Sequence, residues 1–300
     1  MPELPEVQLY LHALEPRVVG RTLEKVRVRS PSLLRTYDPP LSAANGRRVV
    51  ALRAIGKRIV FDLGDELFLS IHLMISGRFR WNDAKGAAIP GKVGHAAFDF
   101  DSGTLLLVEA ATKKRAALHV VRGVAGLAEL DRGGIDPLGA TLDEFTRALT
   151  RENHTIKRAL TDPRILSGIG NAHSDEILWR ARLSPFQRTR QLPAEAMRTL
   201  YDETRSELRE WIERLQAEAG EKFPTKVTAF HPAMAVHGKF REPCTRCGTS
   251  IQRIVHGEHE TNYCPTCQTD GKLLKDRALS RLLGEDWPAT VEELEEGFAR

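Results

Sequence analysis

No run of apolar residues approaches the roughly 18–20 that a membrane-spanning helix needs. The opening residues, Met1-Pro2-Glu3-Leu4-Pro5-Glu6, carry two acids and two prolines. A secretory signal would have basic and then apolar residues there, so the expectation is a cytoplasmic protein with no membrane association. Charge of one sign is also scarce. Forty-four Lys and Arg stand against forty Asp and Glu, a net charge of +4; this is compatible with a polyanionic partner without arguing for one. There is no internal repeat and no low-complexity tract. With 41% apolar and 28% charged residues over 300 positions, the composition excludes wholesale disorder and leaves room for two or three modest domains.

Cysteine is nearly absent. The four present, Cys244, Cys247, Cys264 and Cys267, form two Cys-x2-Cys pairs within 24 residues, with sixteen residues between the pairs. Zn2+ takes four ligands at tetrahedral corners about 2.3 Å away, and each pair can supply two of them. The spacing suits a zinc ribbon built on a β-hairpin. Two disulfides are the competing reading, which the lack of a secretion signal disfavours. Four thiolates leave no open position for water, so one structural rather than catalytic Zn2+ is expected.

Along the chain, Leu4 to Val19 reads as a helix: Pro5 suits its first turn, Glu3 and Glu6 suit its positive end, and Val7, Leu11 and Leu14 share a face. Gly20 ends it. From about Thr22 to Val124 the pattern is of short strands, including Arg58–Phe61, Glu66–Ile71, His95–Phe100, Thr104–Val108 and Ala117–Val121. Turn signals such as Asn45-Gly46 and Asp101-Ser-Gly103 separate them, which predicts an antiparallel sandwich or barrel. A breaker-rich linker, Asp131 to Gly139, precedes helical patterns at Leu142–Arg151, Thr155–Leu160, Asn171–Arg182 and Ala194–Glu218. A second breaker stretch, Gly220 to Pro243, leads into the ribbon. The tail has two amphipathic pieces, Leu273–Leu283 and one opening at Thr290, whose hydroxyl and Glu293 form a capping box. The expected domains are 1–130, a β-domain; 131–235, a helical domain; 236–268, the ribbon; and 269–300, a helical tail.

Three features carry chemistry. Pro2 follows the initiator Met, and a small second residue allows that Met to be removed. The free prolyl amine would titrate near 8 against about 10.4 for lysine, so part of it is an uncharged nucleophile at neutral pH. Such an amine attacking a sugar aldehyde carbon gives an iminium ion, an electron sink for elimination. The plain alternative is that Pro-x-x-Pro only opens a helix. Gly168-Ile-Gly-Asn171 is the second feature: glycines permit a tight turn, Asn171 can cap the next helix, and backbone amides there can bind a phosphate. Between Arg151 and Arg190 eight Lys and Arg face four acids, although a bare helical hairpin would look the same. Lys57, before a strand, is the third, and on its own reads as a solvated strand-end lysine. His72, His95 and His119 lie in β segments, where half-buried partners are the ordinary reading.

Taken together, Met1-Pro-Glu-Leu-Pro-Glu-Val7, Lys57, His72-Leu73…Ser76-Gly77, Ile156-Lys157…Gly168-Ile-Gly-Asn171…Asp175-Glu176 and the zinc ribbon resemble, in order and spacing, the formamidopyrimidine-DNA glycosylase family, relatives of endonuclease VIII. The resemblance covers residues 1 to about 268, and Leu4 favours the formamidopyrimidine branch. It implies an α+β multidomain fold: an N-terminal β-sandwich with a leading helix, a helix–two-turns–helix domain and a C-terminal zinc-ribbon hairpin. It further implies a monomer that binds damaged double-stranded DNA, cytoplasmic and nucleoid-associated when at work. Pro2 would be the Schiff-base nucleophile at the sugar 1′ carbon, Glu3 the acid that assists ring opening, and Lys57 the proton donor that contacts phosphate. Lys157, Asn171, His95 and His259 would contact DNA, and the damaged base would be everted from the stack.

The chain departs from the family pattern in its wedge and lesion-reading parts. Ile75 stands where the family has the wedge methionine. Glu109-Ala-Ala-Thr-Lys-Lys-Arg-Ala116 replaces the usual Asp-Pro-Arg-Arg-Phe-Gly loop, with Arg115 a candidate for its arginine. Val93 replaces a histidine, His259 replaces the hairpin arginine, and Gly220–His237 is shorter than the loop that covers an everted base. A bifunctional glycosylase and AP lyase that cleaves by β-elimination is expected, the alternative being a DNA-damage-binding protein that keeps the fold with little turnover. With histidine at 259, DNA affinity is expected to depend on pH between about 6 and 8, and steeply on salt.

Overall fold

The computed structural model describes residues 1–228, 230–257, 259–275, 288–291 and 293–294; the side chains of His256 and His259 are outside that description. The chain divides into two compact units, Met1–Gly133 with Arg209–Ala229, and Gly134–Leu208 with Phe230–Arg300.

The first unit opens with α1 (Leu4–Val18), which starts where Pro5 fits the first turn and the Glu6 carboxylate accepts the Glu3 N–H at 2.7 Å. Val7, Tyr10, Leu14 and Val18 are fully buried along it. Gly20, at φ +77°, turns the chain into the first strand. Nine strands follow: β1 (Thr22–Val28), β2 (Arg47–Arg48), β3 (Ala51–Ile55), β4 (Arg58–Asp62), β5 (Leu67–His72), β6 (Gly77–Asn82), β7 (Gly94–Phe100), β8 (Gly103–Glu109) and β9 (Ala117–Arg122). They form two antiparallel sheets, ordered β2-β1-β7-β8-β6 and β3-β4-β5-β9. Ile59, Phe61, Leu69, Ile71 and Leu118 from one sheet and Phe98, Phe100, Leu105 and Leu107 from the other are all fully buried. Phe61 and Phe100 stack with ring centroids 6.3 Å apart, so the sheets share one core. A short helix, α2 (Gly123–Ala128), lays Leu127 on the outer side of the smaller sheet, against Val60, Phe68 and Val121.

The sequence pattern misses β3, β6 and α2. β3 is an edge strand of five residues, two of them alanine. β6 opens on glycine and carries Arg78 and Arg80, although the Arg78-Phe-Arg-Trp81 alternation is its signal. α2, Gly-Val-Ala-Gly-Leu-Ala, holds two poor helix formers and is kept by the burial of Leu127.

The second unit contains α3 (Leu142–Thr150), α4 (Ile156–Thr161), α5 (Asn171–Arg180) and the first part of α6 (Ala194–Ala219); the division between units falls inside α6. Thr141 and Glu144 cap α3 reciprocally, with Glu144 accepting the Thr141 N–H at 2.8 Å. A hairpin of β10 (Gln252–His256) and β11 (His259–Tyr263) and a short helix, α7 (Pro265–Thr269), complete it. In the tail, Thr290 Oγ1 accepts the Glu293 N–H as expected, while the Glu293 carboxylate accepts from Ala289 rather than from Thr290. Most of the expected helix from Leu273 to Leu283 lies outside the described residues.

Candidate functional site

In the first unit, the start of α1 gathers ionisable groups. Pro2 is buried and Glu3 is 3% exposed. Burial holds the amino group of Met1 below its ordinary pKa, with Arg78 and Lys57 acting in the same direction and Glu3 and Glu6 against it. Lys57 sits in the two-residue turn between β3 and β4, which Gly56 makes at φ +56°. Its ammonium is likewise lowered by burial and raised by Glu3 and Glu6. The same two carboxylates thus act on both amines, so the hairpin turn delivers Lys57 to the beginning of α1. Desolvated amines with depressed pKa values are the better nucleophiles and proton carriers at neutral pH.

Between β5 and β6 the chain makes a close turn. Gly77 N–H donates to Leu73 O at 3.0 Å, and a Cβ on Gly77 would lie 2.2 Å from that oxygen; only glycine fits there. Met74 takes φ +55° and donates its N–H to His72 Nδ1 at 3.0 Å. Ile75 at the tip is 51% exposed, an aliphatic side chain held toward solvent by an ordered turn. The sequence gives Glu109 no role, yet it organises this region. Its carboxylate is 1% exposed and accepts from Ser76 Oγ at 2.9 Å, from Arg115 N at 3.0 Å and from Ala116 N at 3.2 Å.

His95 is not at the surface. It is 1% exposed, with Nε2 3.1 Å from Glu109 Oε2, and burial pushes its pKa down. It stands on a strand buried at all seven positions, so its side chain, for which the family resemblance implies a DNA contact, instead meets the Glu109 carboxylate.

In the second unit, Lys157 and Asn171 come together. Lys157 Nζ donates to Asn171 O at 2.8 Å and to Asp175 Oδ1. Asp175 is wholly buried and also meets His237 Nδ1 at 2.8 Å and Asn262 Nδ2 at 3.3 Å. Next to it, Glu176 accepts the N–H groups of Ala235, Val236 and His237 at 2.8–2.9 Å. Asn171 does not cap α5. Gly170 is the cap residue, in extended backbone, and Asn171 is the first helical residue, its Nδ2 donating to Glu260 O of the hairpin at 2.7 Å. His259 pairs with His256 at the hairpin end, and its side chain lies outside the described residues.

The four cysteine sulfurs lie within 4.8 Å of one another. Cys247–Cys264 at 3.4 Å and Cys244–Cys267 at 4.0 Å are far beyond a disulfide bond, and the four cysteines are free thiols. Ligands 2.3 Å from a tetrahedral metal stand roughly 3.8 Å apart, so the donor set fits Zn2+. Trp179 Nε1 donates to Cys244 Sγ at 3.4 Å, and the Arg246 guanidinium covers the Trp179 ring at 4.1 Å.

Comparison with known proteins gives the family of the chain. Residues 1–115 match the formamidopyrimidine-DNA glycosylase N-terminal domain, 134–221 its H2TH domain, and 241–269 the zinc finger found in FPG and IleRS. The chain is 34% identical over 278 residues to a formamidopyrimidine-DNA glycosylase of Thermus thermophilus, covering 90% of this chain and all of that one. It is 33% identical over 281 residues to one of Heliobacterium modesticaldum, covering 89% and 100%. The crystal structure of MutM (Fpg) from Thermus thermophilus superposes with a TM-score of 0.76 at 33% identity, covering 89% of this chain and 98% of that one. Lactococcus lactis Fpg bound non-covalently to DNA with an AP site gives 0.76 at 26% identity, covering 89% and 99%. The chain therefore belongs to the formamidopyrimidine-DNA glycosylase family.

Proposed function

We propose that this protein is a bifunctional DNA glycosylase and AP lyase of base excision repair, acting through an N-terminal proline. The observation that carries the reading is the burial of Pro2 and Glu3 at the start of α1, with Lys57 on the β3–β4 turn near enough for Glu3 and Glu6 to raise both its pKa and that of the chain-start amine against burial. Once Met1 is removed, the Pro2 nitrogen becomes a secondary amine in a desolvated, part-acidic setting. It attacks the 1′ carbon of the damaged nucleotide; the base leaves, and the sugar ring opens with a proton from Glu3. The imine that results acidifies the 2′ position, so loss of a 2′ proton expels the 3′ phosphate by β-elimination. Lys57 holds a phosphate and moves protons beside the amine.

The substrate is damaged duplex DNA, and Ile75, exposed on its ordered turn, is the side chain best placed to enter the space left by an everted base. Lys157 and Asn171 are assigned to phosphate contact, His95 to support of that region through Glu109, and His259 to a pH-dependent phosphate contact. Cys244, Cys247, Cys264 and Cys267 would hold one Zn2+, whose contribution is to fix the hairpin. The protein acts as a monomer in the cytoplasm, at the nucleoid; no helix among the described residues is long and apolar enough to cross a membrane.

The test is strand cleavage of a duplex with a single abasic site. Glu3→Gln and Lys57→Leu should each lower the single-turnover rate by about 100-fold or more, the size of a lost general acid or base, with duplex binding retained by Glu3→Gln and weakened by the loss of one phosphate contact in Lys57→Leu. Binding without cleavage by the wild-type chain would contradict the reading and leave a damage-binding protein.

A further inference from the structure

The face of the β3-β4-β5-β9 sheet that turns away from the sandwich core has two halves. One is apolar and covered: Val60, Phe68 and Val121 pack with Leu127, and Ile55 and Leu130 lie against them. The other is polar and cationic. Strand pairing sets Arg58 opposite His72 and Ser70 opposite His119. Residues two apart on a strand share a face, so these four side chains stand together. Arg35 joins from a segment beside β9, where Leu34 bridges Leu118 and the Arg35 N–H donates to Leu118 O at 2.9 Å. Arg132 acts on both Arg58 and His72.

Three polar atoms are buried here with no hydrogen-bond partner among the described residues: Arg58 Nη1, Ser70 Oγ and His119 Nδ1. Ser70 is wholly buried. Buried polar atoms in folded proteins are almost always satisfied by protein, water or ligand. The neighbouring charges narrow the choice. The charge acting on Arg58 is Arg132, and those acting on His119 are Arg58 and Arg35, all cations. Burial first, and these cations next, push His72 and His119 down to about 4. His72 Nδ1 already accepts the Met74 N–H, which leaves the Arg58 guanidinium N–H without an acceptor and Ser70 Oγ and His119 Nδ1 able to donate beside it. A water molecule would satisfy hydrogen bonds and leave the charge uncompensated. An oxyanion does both.

We propose that this basin binds a tetrahedral oxyanion of the phosphate class, held by Arg58 Nη1, Ser70 Oγ and His119 Nδ1, with Arg35 and Arg132 at the rim. Each of the three donates to a phosphate oxygen, and no bond is made or broken. Two sources share this chemistry, a backbone phosphate of bound DNA and free inorganic phosphate. The site lies wholly within the first unit. Only the backbone source rests on the proposed function.

The experiment follows the His119 imidazole resonances of the full chain, assigned with His119→Gln, during titration with inorganic phosphate at constant ionic strength set with chloride. A saturable shift is expected, with the His119 pKa rising from about 4 toward its ordinary value. Arg58→Gln should weaken phosphate roughly tenfold or more, as loss of one charge-assisted hydrogen bond would. Arg132→Gln, a rim substitution, should weaken it several-fold and serves if Arg58→Gln does not fold. In the second arm, one neutral methylphosphonate linkage is moved stepwise through a duplex. A single position that weakens wild type but not Arg58→Gln assigns the site to a backbone phosphate. Phosphate binding without such a position assigns it to the free anion. An unmoved His119 in a folded protein, together with no position that depends on Arg58, overturns the proposal. The phosphate arm uses neither DNA nor turnover, so its failure and failure of the glycosylase reading are told apart.

Discussion

Ser76 Oγ donates to Glu109 Oε1 at 2.9 Å, and this bond ties the turn carrying Ile75 to the loop carrying Arg115. The carboxylate is buried and also takes the N–H groups of Arg115 and Ala116. Glu109→Ala would leave these donors unsatisfied at about 1–3 kcal/mol apiece. We expect a loss of about 3 kcal/mol or more in stability, read by urea melts, and faster amide exchange at Arg115 and Ala116. Unchanged exchange at those two amides would show that the loop is held by something else.

The Lys157–Asp175 pair makes a sharper case. Asp175 has no exposed side-chain surface, and Lys157 has 12%. Breaking a buried pair from one side costs about 3–5 kcal/mol, whereas replacing both partners costs far less. Lys157→Met should therefore destabilise the second unit strongly, and Lys157→Met with Asp175→Asn should recover much of the loss. A double variant as unstable as the sum of the two singles would refute the coupling.

Removal of zinc should act locally. Structural Zn2+ in small ribbons contributes on the order of 10–16 kcal/mol of binding free energy. Chelation, or Cys244→Ser, should abolish exchange protection along Gln252–Tyr263 and weaken duplex binding. The buried strands β7 and β8 should stay protected. Uniform loss of protection throughout the chain would contradict a purely local role.

His72 and His119 set an acid response. Both titrate near 4 in the folded chain and near 6.5 when unfolded. Between those values the unfolded chain binds more protons, so their contribution is full above about 6.5 and falls as pH drops toward 4. His72→Gln/His119→Gln should flatten the decline in the urea midpoint between pH 7 and pH 4.5 relative to wild type. Parallel declines would mean that other groups carry it.

The parts legible in the sequence are those whose chemistry is local. Two Cys-x2-Cys pairs declare a four-sulfur site because each pair sets two ligands within one turn of chain, and the sulfurs do converge. Pro5 and Glu6 declare the start of α1 in the same way. Glu109 could not be read, because its partners come from Ser76, His95, Arg115 and Ala116, brought together by sheet pairing. A DNA contact for His95 follows from the family resemblance alone, whereas its place in a β segment reads as a half-buried partner, which is what the fold shows. The loop containing Ile89 and Val93 covers the outer side of β7 and β8 at Ala97, Leu106 and Val108. Asn171 looked like a cap by residue type, and only the fold shows Gly170 in that position.

If the amine of Pro2 bonds to the sugar, borohydride reduction of the protein with a duplex carrying one abasic site will trap the bond, on a sample whose N-terminus mass spectrometry has confirmed as Pro2. The expected product is a covalent adduct whose fragmentation puts the DNA remnant on Pro2, with much less adduct from Pro2→Gly. No adduct from a chain that binds the duplex, or an adduct on Lys57 or another lysine, would contradict it.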